Sequence, residues 1–170
     1  MLVPITACDF LLTAFDLDLY EPVVSNMVLD EVERTLSTDF PNLTDEAVRY
    51  RVDAMREALA DQIATADPSV APSGINAKDR HVVAAAITGE ATMIVSNDRR
   101  LGNEVAAAST TLTVLTLDAF ASTLWDASPD GVNAVVDALV AKRQRPPVTR
   151  AELIMALQPH LPNVVKALGE

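Results

Sequence analysis

Two carboxylates stand at opposite ends of one short stretch. Asp79 lies in N-A-K-D-R-H, and Asp98 closes I-V-S-N-D nineteen positions further on. Brought together, two such acids invite a hard divalent cation, which takes oxygen ligands. A third acid, Glu31, sits at the edge of an upstream apolar stripe, where a carboxylate can reach a crevice. Each acid also has an ordinary duty. Asp79, three residues past Asn76, would complement a helix dipole. Asp98, preceded by Asn97, is common turn chemistry. Glu31 could be a solvated helix residue. Spacing alone does not unite the three.

The elements around them decide whether they meet. Asn76 reads as an N-cap, with Asp79 in the capping-box position but with Asp in place of Glu or Gln. Val82, Val83, Ala86 and Ile87 form one apolar face, and Gly89 ends the helix. Thr92-Met93-Ile94-Val95 is short, mostly apolar and β-prone, as a strand covered on both faces would be. A helix of about twelve residues rises roughly 18 Å. A strand of about five residues returns roughly 16 Å. Packed antiparallel, they place Asp79 and Asp98 across one crevice.

Along the chain, Met1-Leu2-Val3 reads as the tail of a strand that Pro4 stops. Helices are expected over Asp9–Asp18 and from an N-cap at Ser25 to about Leu36. Another begins after Thr44, with Val48, Val52, Met55 and Leu59 at helical spacing. A short strand is expected near Gln62–Thr65, and turns from Asp67 to Gly74. Further on come a helix over Arg100–Ala108, a strand over Thr111–Leu115, and a helix capped by Asp118. Helices then open at Pro129, at the capping box Thr149-Arg150-Ala151-Glu152, and at Asn163. Alternating helices and apolar strands indicate an α/β class with a parallel sheet. The region past about residue 127 reads as all helix.

Composition narrows the classes. One cysteine, Cys8, excludes an internal disulfide and fits a reducing cytosol. No apolar run reaches about 18 residues, so no membrane span is expected. No basic stretch precedes a long apolar run, so no secretory leader is expected. Thirteen basic against 24 acidic residues give a net charge of −11. That opposes broad nucleic-acid binding, which runs on basic surface. It leaves open a metal-dependent nuclease, whose acids are partly neutralised by the ion. Lys142, Arg143, Arg145 and Arg150 cluster, and Arg99-Arg100 follow Asp98 directly. Such a rim could hold phosphates or dock an acidic partner, or be a solvated helix end. His81 and His160 receive no catalytic role.

The stretches K-D-R-H-V-V-A-A-A-I and I-V-S-N-D resemble the core signature of the PIN domain family, as does S-N-M-V-L-D-E-V upstream. The match covers roughly residues 1–125, and R-P-P-V-T-R-A-E-L resembles the helical extension of some bacterial VapC-type toxins. The resemblance implies a three-layer α/β fold, a central, mainly parallel sheet flanked by helices. It implies a nuclease domain over residues 1–125 and a helical extension over 126–170. It also implies a cytoplasmic, Mg²⁺- or Mn²⁺-dependent endoribonuclease, the toxin of a type II toxin–antitoxin pair. RNA would be the substrate; an antitoxin and a second copy of the chain would be partners. Glu31, Asp79 and Asp98 match the family's second, third and fourth acids, the metal ligands and catalytic set. Ser96 and Asn97 match the supporting polar pair, and Lys78, Arg80 and Arg99 fall where phosphate contacts are expected. The family's first acid, on a first strand ending Asp-x-Asn, has no counterpart, because Met1-Leu2-Val3-Pro4 begins past it. Two expectations follow: a coding start further upstream supplies that acid, or a truncated scaffold binds antitoxin or RNA without cleaving.

Overall fold

The computed structural model describes residues 5–108 and 110–169. In chain order the elements are α1 (Ile5–Asp16), α2 (Asn26–Asp39), α3 (Asp45–Ala58), α4 (Arg80–Thr88) and β1 (Met93–Val95). There follow α5 (Arg99–Ala107), β2 (Thr113–Leu115), α6 (Leu117–Ala127), α7 (Pro129–Lys142), α8 (Arg150–Leu157) and α9 (Pro162–Leu168). The fold is mixed α/β and mostly helical, with a small parallel sheet of β1 and β2. The broad central sheet of a three-layer fold is not found among the described residues. The strand tail expected at Met1–Val3 lies outside them. The one expected near Gln62–Thr65 amounts to a single parallel bridge between Ile63 and Val24. Contact divides the chain into two compact units: Pro22–Val114, and Met1–Glu21 with Leu115–Glu170. The division expected after residue 125 follows chain order, whereas these units follow contact and group α1 with the C-terminal helices.

In the unit Pro22–Val114, caps start the helices where side-chain oxygens meet orphan amides. Ser25 accepts from the Val28 amide at 3.3 Å and Thr44 from the Ala47 amide at 3.2 Å. Helices α2 and α3 pack together and bury Leu29, Val32 and Leu36, and Val48, Val52 and Met55. A second cluster joins Val83, Ala84 and Ala86 of α4 to Ile94, Leu101, Val105 and Leu112. Strand β1 is covered on one face only. Ile94 is buried but Met93 is exposed, because successive side chains leave a strand on opposite sides.

Both ends of α4 differ from expectation. The helix starts at Arg80 instead of just after Asn76. Asn76 Oδ1 accepts from the Lys78 amide at 3.1 Å, and the Asn76 carbonyl accepts from the Asp79 amide at 2.9 Å. This side-chain turn competes with helix and delays its start. At the other end Ala91 N–H donates to Ala86 O at 2.9 Å and Glu90 N–H to Ile87 O at 3.2 Å. These are the two bonds of a Schellman close. The left-handed residue is Glu90, with φ 54°, whereas Gly89 has φ −87°. Glycine is needed at 89 for close approach: a Cβ there would lie 2.4 Å from Val23 Cγ1.

In the other unit, α1 packs on α7 and α8, and α6 packs on α7 and α9. Phe10, Val132, Val135, Val136, Leu153, Leu157 and Leu161 are fully buried there. The expected capping box is present: Thr149 N–H donates to Glu152 Oε2 at 2.7 Å, and Glu152 N–H to Thr149 Oγ1 at 3.2 Å. Thr116, not Asp118, caps α6. Asp118 instead accepts from Asn163, through its amide at 3.0 Å and its Nδ2 at 2.6 Å. Tyr20 donates to Leu11 O at 3.2 Å and sets its ring edge-on to Phe120. Burial pushes its phenol pKa up. Cys8 is buried, and no described helix is long and apolar enough to cross a membrane.

Candidate active site

The helix–strand return does bring two acids together. Asp79 immediately precedes α4, β1 runs back, and Asp98 caps α5. Lys78 Nζ lies 3.8 Å from Asp79 Oδ1 and 3.6 Å from Asp98 Oδ2, so one ammonium serves both carboxylates. Arg100 Nη2 donates to Asp79 Oδ2 at 3.0 Å. Its Nε is 3.5 Å from Glu104 Oε1, and Glu104 Oε2 accepts from the Asn76 amide at 2.8 Å. The loop before α4 is thereby tied to α5.

The two acids are employed differently. Asp98 Oδ1 accepts from the Arg100 amide at 2.8 Å and the Leu101 amide at 3.3 Å. These backbone bonds hold its pKa below the usual carboxylate value, with smaller help from the charges of Lys78 and Arg100. Its other oxygen faces Lys78. Asp79 stands at the N-cap position of α4, yet its side chain makes no capping bond. Its carboxylate, 16% exposed, faces the two cations instead. Asp79 is not at the expected third position of the helix but one residue before its start, still at the positive end of the helix dipole.

Glu31 goes elsewhere. Its Oε2 lies 3.2 Å from His81 Nε2, and Oε1 lies 3.9 Å from Arg34. His81 is buried on the face of α4 that also buries Ala84 and Ala85, so it holds an acid of α2 beside α4. Ser96 Oγ accepts from the Asp98 amide at 3.2 Å and shapes the strand's end. Asn97 is exposed. Arg80 donates to Pro68 O at 3.0 Å and Ala71 O at 2.8 Å, holding the preceding turn. Arg99 is exposed. Sequence reasoning placed Arg100 only in a basic rim, gave His81 no role and did not single out Glu104. Two signals were available: Arg100 and Glu104 stand four apart on one helix, and His81 shares helical spacing with Ala84 and Ala85.

Among the described residues, no three acids, histidines or cysteines gather into a metal-holding group. The crevice still fits Mg²⁺ in its donor chemistry. That ion is usually bound through one or two carboxylates, waters and substrate phosphates, with no all-protein cage. Asp79 and Asp98 supply two carboxylates that already share one positive charge.

Residues 117–170 match the family model described as the VapC50 C-terminal domain. The match spans about a third of the chain, lies outside the acidic crevice, and suggests a VapC-family toxin. No curated protein and no solved structure matches the chain.

Proposed function

We propose that the protein is a divalent-cation-dependent endoribonuclease, the toxin of a type II toxin–antitoxin pair. The observation that carries this reading is the convergence of Asp79 and Asp98 on the single ammonium of Lys78. The match over residues 117–170 supports it from the other unit, since VapC toxins are generally ribonucleases paired with antitoxins. The antitoxin, a second copy of the chain and a cytoplasmic setting belong to the same proposal.

Asp79 and Asp98 would hold the ion. Mg²⁺ or Mn²⁺ there would polarise a phosphoryl oxygen and acidify an attacking water. In the reaction a water oxygen bonds to phosphorus, the bond to one ribose oxygen breaks, and that oxygen takes a proton. Lys78 and Arg100 would turn positive charge toward the phosphate once a cation relieves them of the carboxylates. The amides of Arg100 and Leu101 keep Asp98 ionised and oriented, and Ser96 accepts from its backbone amide. Glu31, held by His81, stands apart from Asp79 and Asp98 and is the third acid of the set by resemblance alone.

A second reading rests on the same ion pairs. With Lys78 and Arg100 in place the two carboxylates are charge-balanced without a metal. A scaffold that binds RNA or an antitoxin without cleaving would look the same. Incubating RNA with the full chain and Mn²⁺ separates them. Cleavage that falls roughly 100-fold in Asp79→Asn and in Asp98→Asn supports the nuclease. Cleavage undiminished in both variants overturns it. RNA bound but left whole by the unaltered chain favours the scaffold.

A further inference from the structure

We propose that the turn between α7 and α8 forms a phosphate-binding cleft, separate from the acidic crevice, that receives one phosphodiester of a single-stranded RNA. A cavity of about 610 Å³ opens there, lined by Lys142, Arg143, Gln144, Arg145, Pro146 and Val148. Its three cations stand in three different situations. Lys142 Nζ lies 3.1 Å from Asp16 Oδ2 and donates to Thr13 Oγ1 at 3.4 Å. Arg143 Nη2 donates to Asp9 Oδ2 at 3.2 Å. Both are thereby held in place with donors to spare, since a guanidinium carries five N–H groups and an ammonium three. Arg145 is exposed and has no bonded partner among the described residues. Arg150, the remaining cation of the cluster, is bound to Asp137 and Asn133 instead.

Charge decides the size of the ligand. Two of the lining cations are matched by Asp9 and Asp16, so the cleft carries one net positive charge from Arg145. One phosphodiester carries one negative charge. A chain of net charge −11 repels a long polyanion over most of its surface. Arg143 and Arg145 supply the planar forks that suit phosphate oxygens. The Gln144 side-chain amide can add a donor, and Pro146 and Val148 offer an apolar wall to a ribose or base. The phosphate site stands on this geometry alone. The choice of RNA as its source rests on the nuclease reading.

The test uses the full chain carrying Asp79→Asn, in EDTA, so that RNA is bound but not cut. Fluorescence anisotropy follows a short labelled single-stranded RNA across a salt series. Arg145→Gln should weaken binding roughly fivefold and flatten the slope of log affinity against log salt by about 0.7, one phosphate's worth for a single strand. Arg145→Lys should restore most of the slope. RNA that outcompetes inorganic phosphate and a mononucleotide for the increment that Arg145 supplies identifies the backbone as the source. Equal competition by inorganic phosphate keeps the site and makes a free phosphate group its ligand. Identical RNA affinity and slope in Arg145→Gln and its parent overturn the proposal. Loss of an oligoglutamate probe alone overturns it too, in favour of an acidic protein surface. Cleavage by the unaltered chain with Mn²⁺ is measured apart, so failure of the nuclease reading leaves the phosphate result readable.

Discussion

The acidic crevice and the basic cleft gather charge by opposite routes. In the crevice the partners lie close in sequence: Arg100 and Asp79 are 21 positions apart, and Asn76 and Glu104 are 28 apart. One helix, one strand and the start of the next helix build it. In the cleft, Lys142 meets Asp16 across 126 positions and Arg143 meets Asp9 across 134. Its lining comes from the turn after α7, and α1 holds two of its cations. The crevice therefore depends on local turns and caps, and the anchoring of Lys142 and Arg143 depends on long-range contact.

That contrast can be broken by attacking each region's own support. The largest effect is expected from Phe10→Ala. Phe10 is fully buried in α1, and such a deletion costs about 3–5 kcal/mol. Trp125, the only tryptophan, lies on α6 in the same unit as α1. Its fluorescence should report a lower denaturant midpoint. An unmoved Trp125 transition would detach α1 from the unit that forms the cleft.

Next comes Gly89→Ala, at about 1–3 kcal/mol, the range for forcing a methyl into filled space. The new Cβ would meet Val23, and Val23→Ala in the same chain should recover most of the loss in a urea titration. Failure of that recovery would mean that backbone freedom, and not close approach, selects the glycine that closes α4.

The smallest effect is at Glu152, whose pKa is lowered by the Thr149 amide and then by the Thr149 hydroxyl. A depressed carboxyl pKa adds stability that is present above the unfolded value, about 4.3, and lost as pH falls through the folded one. Glu152→Gln keeps a capping-box residue but cannot titrate. Its stability should therefore change less than the parent's between about pH 5 and pH 3. Equal acid sensitivity in the two chains would show that the box at α8 contributes nothing to that slope.

Legibility follows the range of the forces involved. The capping box at Thr149 and the caps at Ser25 and Thr44 were readable because cap and amide lie within three residues. The starts of α4 and α6 were misplaced for an equally local reason: Asn76 bonded into a turn, and Thr116 outcompeted Asp118. The exposed side of β1 was not readable, because alternating faces say nothing about what covers them. The sheet of a three-layer fold was expected from resemblance, and the described residues hold a sheet of two parallel strands.

By itself the sequence indicated a helix and a strand that, packed antiparallel, would bring Asp79 and Asp98 to one place. Spacing alone did not unite them; their packing does. Only the tertiary structure decided that Lys78 and Arg100 neutralise the pair, that His81 holds Glu31, and that α1 steadies the cations after α7. These pairings depend on which surfaces pack, and packing joins residues that no local pattern relates.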